Sequence, residues 1–146
     1  MKLSILLLCI LPFVSQAKET LWLSNFEEAK KIAKQENKPI LMNFTGSDWC
    51  GWCIRLEGEV FGELSFKTFA EKNLVLMKLD FPSRKKLDKK ILAANEVLAE
   101  KYGIQGYPTI LIVDSEGSVL ATTGYQKGGA DNYVKHLKKL IDKNAS

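Results

Sequence analysis

Residues 40–53 read ILMNFTGSDWCGWC, and this stretch decides the fold. The residues from Ile40 to Phe44 form a mostly apolar run of strand length, which predicts a strand buried in a central sheet. The next four residues, 45–48, have the composition of a loop. The Cys-Gly-Trp-Cys motif follows, and we expect it to open a helix at about Cys50. The stretch therefore predicts a buried strand, a short loop and a helix that begins at a cysteine.

The two cysteines of this motif suit redox chemistry. A helix begins with unpaired N–H groups and the positive end of its dipole, so we expect a lowered pKa and a nucleophilic thiolate at Cys50. Cys53 follows one turn later, close enough to attack the mixed disulfide that Cys50 would form. Gly51 leaves the Cys50 sulfur uncrowded. We predict that Cys50 attacks a disulfide and that the more buried Cys53 acts second.

Two other uses of a Cys-x-x-Cys pair are less compatible with the sequence. A disulfide between cysteines this close in sequence closes a tiny loop and constrains the unfolded chain only weakly. A closed zinc site needs four ligands. Once an N-terminal signal is removed, His136 on the last predicted helix is the one further nitrogen or sulfur ligand in the sequence. We expect no metal and no cofactor besides the redox-active disulfide itself.

The first residues have the pattern of a secretory signal peptide. Lys2 supplies a positive start, and the residues from Leu3 to Val14 are almost wholly apolar. Ser15-Gln16-Ala17 then places small residues where a signal peptidase reads them, which predicts cleavage after Ala17. The prediction is a signal peptide at 1–17 and one domain at 18–146. Such a protein is exported, either to the periplasm of a bacterial envelope or as a secreted protein, where disulfides persist.

Composition indicates an ordinary globular domain. The chain has 146 residues, of which 46% are hydrophobic and 26% charged, with a net charge of +4. Without residues 1–17 the chain has 20 basic and 17 acidic residues, a net charge of +3. The lysines are scattered among acids, so a solvated surface is a better interpretation than nucleic-acid binding. We expect a monomer.

Hydrophobic periodicity and turn residues predict the other elements. The order of elements is helix, strand, helix, strand, helix, hairpin and helix, which predicts an α/β fold with a central mixed sheet and helices on both faces. Ser24 has the spacing of the first residue of a capping box, and Gly58 should weaken or bend the helix of the motif. Besides the helix of the motif and the strand at 40–44, the predicted helices are 24–36, 65–71, 88–101 and 130–143, and the predicted strands are 74–79, 109–113 and 118–123.

A second stretch, Tyr102 to Thr109 (YGIQGYPT), combines with the cysteine motif into a family pattern. Together they resemble the thioredoxin superfamily over nearly all of residues 18–146, and in particular its exported thioredoxin-like and disulfide-isomerase-like members. The resemblance implies a thioredoxin fold with a cis peptide bond before Pro108, beside the two cysteines. It also implies that the backbone of Tyr107 pairs with an extended segment of the substrate.

The sequence departs from the family at positions that matter for proton transfer and redox strength. Asn43 stands where thioredoxins usually carry a buried aspartate, and an amide cannot act as a general base. Lys78 resembles the lysine that faces that acid, and here it lacks the partner; Asp48 or water remains as a substitute proton acceptor. Trp52 replaces the usual proline between the cysteines, which leaves the redox poise open. The stretch 81–100 is longer than in small thioredoxins and either shapes partner choice or is a plain surface insertion.

These observations predict a protein-disulfide oxidoreductase, working as a reductase or isomerase rather than as an oxidase. The expected partners are protein thiols and disulfides and, as electron donor, a membrane thiol transporter. We expect Trp52 to form an apolar rim for docking partners and Trp49 to pack against the start of the helix. The alternative is a binding or chaperone module that uses the Tyr107 edge and the tryptophans while its disulfide is idle.

Overall fold

A single five-stranded sheet forms the centre of the computed structural model, which describes residues 21–144. Its strands lie in the order β1-β3-β2-β4-β5; β2 is parallel to β3 and antiparallel to β4, β1 is parallel to β3, and β5 is antiparallel to β4. The strands are β1 (Trp22–Leu23), β2 (Ile40–Thr45), β3 (Val75–Asp80), β4 (Thr109–Val113) and β5 (Val119–Thr123). The predicted signal peptide, residues 1–17, lies outside the described residues.

Helices cover both faces of the sheet. They are α1 (Phe26–Glu36), α2 (Gly51–Leu56), α3 (Leu64–Asn73), α4 (Lys89–Lys101) and α5 (Gly129–Asn144). A π-helical turn, Glu57–Phe61, continues α2 and contains Gly58, so the helix of the motif is irregular where the sequence predicts it. The predicted α/β architecture with a mixed sheet is confirmed. Within residues 21–144, no helix has both the length and the apolar character needed to cross a membrane.

The sheet divides the core into two layers because successive residues of a strand point to opposite faces. In β2, Leu41 packs with α2, α3 and α5, whereas its neighbours Ile40 and Met42 pack with α1 and α4. Every residue of β2 is buried, as its apolar sequence predicts. The cysteine motif follows this central strand after a short loop, so its position is fixed by the buried core of the sheet.

Two details of the N-terminal region differ from the predictions. Trp22 and Leu23 form a short strand beside β3, which could not be predicted from the sequence because two residues show no periodicity. The N-cap of α1 is Asn25 rather than Ser24: the Asn25 side chain accepts a hydrogen bond from the Glu28 N–H at 2.9 Å. Both residue types cap helices well, so composition could not distinguish them.

Candidate active site

Cys50 is the residue that caps the helix of the motif. Its backbone is extended, its carbonyl accepts the Ile54 N–H, and α2 begins at the next residue. The Cys50 Sγ accepts a hydrogen bond from the Cys53 N–H at 3.3 Å. A sulfur in this position receives one of the otherwise unpaired donors at the start of a helix. The prediction that the motif opens a helix at Cys50 is confirmed.

The two cysteines form a disulfide with their Cα atoms 5.2 Å apart. Cys50 is 7% exposed and Cys53 is 3% exposed, which agrees with the prediction that Cys53 is the more buried of the two. The Cys53 Sγ also accepts the Gly46 N–H at 3.5 Å. Gly51 is exposed and has open space around it. The disulfide therefore lies just beneath a surface that is open on the Gly51 side.

The Tyr107–Pro108 peptide bond is cis, as the resemblance implies. The Tyr107 ring lies against Trp49, with the ring centroids 5.8 Å apart, and against Phe81, at 5.4 Å. Trp49 directly precedes Cys50. The structure thus brings Tyr107 next to the cysteine motif although more than 50 residues separate them in sequence.

Trp49 and Trp52 lie on the surface beside the disulfide in different settings. Trp49 donates its Nε1–H to the Phe81 carbonyl at 2.7 Å, and its ring lies so close to Gly46 that a Cβ there would overlap it. The predicted packing role of Trp49 is therefore present, yet 48% of the residue stays exposed. Trp52 is 51% exposed.

The Trp52 ring belongs to a small surface cluster. It lies against Tyr125, with centroids 5.1 Å apart, and beneath the Arg55 guanidinium, which is 5.1 Å from the ring centroid. Arg55 and the Tyr125 hydroxyl both donate hydrogen bonds to Glu59. These hydrogen bonds, with the one from Tyr125 contributing most, lower the pKa of the Glu59 carboxyl. The cluster fixes the orientation of Trp52 while leaving half of its surface accessible.

The Asp48 carboxylate is fully engaged with the backbone of a neighbouring loop. It accepts N–H hydrogen bonds from Ser83 at 2.8 Å and from Arg84 and Lys85 at 2.7 Å each. These bonds, the one from Ser83 first, lower its pKa from 3.8 to about 2. A carboxylate this acidic is a poor proton acceptor near neutral pH. Asp48 is therefore not the substitute base that the sequence left open.

Lys78 lacks the usual acid, because residue 43 is asparagine, but it has a different acidic partner in the structure. Its Nζ lies 3.3 Å from Oε2 of Glu57, one helical turn beyond Cys53. No local sequence pattern indicates this pair, because Glu57 lies in the π-helical turn after α2 and Lys78 lies in β3. Asn43 on β2 lies in register with Lys78 on the neighbouring strand β3. Asn43 is 2% exposed, and its Oδ1 has no hydrogen-bond partner among the described residues. A buried acceptor without a partner is the usual position of an ordered water.

No group of three or more His, Cys, Asp or Glu side chains within residues 21–144 has the arrangement of a metal site. His136, the one further nitrogen or sulfur ligand considered for a zinc site, is half-buried on α5 and forms a hydrogen bond with the Thr123 hydroxyl at 2.8 Å.

Comparisons with known proteins agree with this architecture. The chain is 35% identical over 117 residues to the disulfide bond reductase DsbH of Chlamydia pneumoniae, covering 80% of this chain and 70% of that protein. It is 31% identical over 115 residues to protein disulfide-isomerase A4 of Bos taurus, which covers 79% of this chain but 15% of that protein. A solved structure of a DsbH oxidoreductase superposes with a TM-score of 0.79 at 34% identity, covering 84% of each chain.

The model of the thioredoxin-like domain family matches residues 26–141, which include the cysteine motif and the cis-proline segment. That match extends from α1 to the last turns of α5, and it agrees with the order and directions of the strands. This chain therefore belongs to the thioredoxin-like family.

Proposed function

We propose that this thiol–disulfide oxidoreductase reduces disulfide bonds in protein substrates, with Cys50 as the attacking and Cys53 as the resolving cysteine. The observation that carries the proposal is the position of Cys50, whose sulfur caps a helix and accepts the N–H of its redox partner. The same N–H would stabilise a thiolate when the disulfide is open. The active form for reduction is the dithiol.

The reaction proceeds by two exchanges. The Cys50 thiolate attacks one sulfur of the substrate disulfide; that bond breaks, a mixed disulfide forms, and the first substrate sulfur leaves and takes up a proton. Cys53 then loses its proton and attacks the Cys50 sulfur, which releases the second substrate sulfur. The substrate gains two electrons and two protons, and the pair is oxidised to the disulfide. No cofactor other than the cysteine pair takes part.

The Cys53 proton needs an acceptor, and the contacts favour a water-mediated path. Asp48 is too acidic, and the Asn43 amide cannot accept a proton. A water on the unpaired Asn43 Oδ1 could take the proton and pass it towards the Glu57–Lys78 ion pair, which lies one turn further along the helix and is partly exposed to solvent.

The substrate lies across the surface around Cys50. Gly51 and Trp52 are exposed beside the disulfide, and Tyr107 lies against Trp49, the residue before Cys50. An extended substrate segment would hydrogen bond to the backbone of Tyr107 next to Pro108. The half-exposed indoles supply apolar contact area at little conformational cost.

The relatives and the first residues support a proposal for the direction of the reaction and for the compartment. The Chlamydia relative is named a disulfide bond reductase, and the sequence pattern of residues 1–17 is typical of a signal for export. We propose that the protein is a periplasmic monomer in a bacterial envelope and that a membrane thiol transporter returns the electrons. The reduction potential of the Cys50–Cys53 couple tests the direction: we expect a value nearer the about −270 mV of thioredoxin than the about −120 mV of a strong oxidant.

The test of activity is insulin reduction. The wild-type protein should accelerate insulin precipitation by dithiothreitol, and Cys50→Ser should reduce the rate to that of dithiothreitol alone. Cys53→Ser should accumulate a covalent mixed disulfide visible on a non-reducing gel. An inactive wild-type protein, equal to Cys50→Ser, would instead favour the binding or chaperone module, in which the exposed tryptophans act and the disulfide is idle.

A further inference from the structure

The loop between β3 and α4 is attached to the loop that precedes the catalytic disulfide. Ser47 hydrogen bonds to the Asp80 carboxylate through its N–H and its hydroxyl. The two following residues hold the same loop: Asp48 accepts the N–H groups of Ser83, Arg84 and Lys85, and Trp49 donates to the Phe81 carbonyl. The loop is thereby fixed beside Cys50.

The net charge of the domain is concentrated in this segment. Residues 80–90 contain five basic and two acidic side chains, whereas the rest of 18–146 contains fifteen basic and fifteen acidic residues. Asp48, beneath the loop, offsets one further charge. We define the basic loop as Ser83 to Lys90, which includes the first two residues of α4. Its five cations are Arg84, Lys85, Lys86, Lys89 and Lys90.

The cations of the basic loop are available to a partner. All five residues are exposed, and none of them forms an ion pair with another residue in the described range 21–144. Asp48 binds the backbone N–H groups of the loop, so the side chains are not used to hold it in place. The low pKa of Asp48 means that the attachment persists across the physiological pH range.

We propose that the basic loop is a docking surface for an acidic, extended segment of the substrate next to the disulfide that Cys50 attacks. This inference rests on the proposed reductase function and adds a substrate class to it. The distance is suitable: Asp48 and Cys50 are two residues apart, which is at most about 7 Å of chain. An extended peptide advances about 3.3 Å per residue, so acidic residues three to five positions from the substrate cysteine would reach the loop.

The physical effect is electrostatic attraction of the substrate before the chemical step. Several like charges on one surface raise the local concentration of an oppositely charged ligand and its association rate by about 10- to 1000-fold, and salt removes the effect. At 0.15 M ionic strength the Debye length is about 8 Å, so the attraction acts over a short range and weakens as salt is added. The loop charges should therefore alter KM and the association rate more than kcat.

The experiment compares three disulfide-bonded peptides with the same core and with Glu, Gln or Lys at positions three to five from one cysteine. Arg84→Glu/Lys85→Glu/Lys86→Glu reverses the loop charge and keeps the N–H groups that Asp48 binds. The matched control, Lys135→Glu/Lys139→Glu/Lys143→Glu, makes the same charge change at exposed positions of α5. Urea unfolding of both variants checks that they are folded. Peptide reduction is followed with dithiothreitol as electron donor.

We expect the wild-type protein to reduce the Glu peptide with a kcat/KM at least about tenfold above that of the Lys peptide at low ionic strength, falling below about threefold in 0.5 M salt. The loop variant should lose or reverse this preference and the α5 variant should keep it. Equal kcat/KM for the three peptides, or an equal loss in both variants, would overturn the inference. The inference would also be overturned if the loop variant lost binding to anionic lipid vesicles but kept the wild-type preference among the three peptides. Failure of the proposed function looks different, because the wild-type protein would then reduce none of the peptides.

Discussion

Asp48 shows how one side chain holds a loop beside the cysteine motif. Its folded pKa of about 2 lies below the ordinary value of 3.8, so the charged form stabilises the fold above pH 3.8. That stabilisation disappears as the pH falls through 2. Asp48→Asn should unfold at a lower urea concentration than the wild-type protein at pH 6, and the difference should shrink between pH 4 and pH 2. A difference that is independent of pH would contradict the hydrogen bonds to the carboxylate.

Gly46 permits the close approach of the Trp49 ring. A Cβ at residue 46 would overlap the indole, so Gly46→Ala should displace the ring, break its hydrogen bond to Phe81 and cost about 1–3 kcal/mol of stability. Gly58→Ala is the control, because nothing lies within contact distance of a Cβ there. Urea unfolding with tryptophan fluorescence measures both effects. Equal stability of the two variants would show that the indole tolerates the added methyl group.

The sequence predicted which residues form the candidate site better than it predicted which partner each side chain has. Cys50 and Cys53 could be identified from spacing and context, because a cysteine at a helix start has a recognisable local pattern. The Glu57–Lys78 pair could not be predicted in the same way. It joins the π-helical turn after α2 to β3, so it depends on how these two elements pack. The attachment of Asp48 to the next loop is non-local for the same reason.

At the level of elements, the N-cap of α1 offers a direct comparison of two neighbouring residues. Asn25→Ala removes the acceptor for the Glu28 N–H and should cost about 1 kcal/mol. Ser24→Ala should change stability by less than about 0.5 kcal/mol, because Ser24 is exposed and lies outside the helix. The measurement is the urea midpoint of both variants. A larger loss at Ser24 would restore the capping box that the sequence predicted.

Element boundaries followed from the sequence wherever periodicity was long. The helix at 88–101 agrees with α4 to within one residue because Asp88 is an unambiguous N-cap, accepting the N–H groups of Lys90 and Ile91. Strand β1 could not be predicted, because its two residues are placed by pairing with β3 rather than by local propensity. Short edge strands are fixed by the neighbour they pair with, which a local pattern does not contain.

For the whole molecule, the mixed sheet could be predicted because each strand has a distinct burial pattern. An apolar run such as β2 has to be buried on both faces, and a hairpin with a polar turn has to lie at an edge. The order β1-β3-β2-β4-β5 then places β2 in the middle. The position of residues 81–87 could not be predicted from the sequence, because a loop is positioned by contacts with residues that are distant in the chain.

This sheet order also predicts how stability is distributed. The backbone of β2 is hydrogen bonded on both sides and covered by both core layers, whereas β5 pairs on one side and its residues are exposed or half-buried. In native-state hydrogen exchange, the amides of β2 should open only with global unfolding, with a urea dependence equal to that of the whole domain. The amides of β5 should exchange through local opening, with little urea dependence. If β5 were as protected as β2, the distribution of stability inferred from the order of the strands would be wrong.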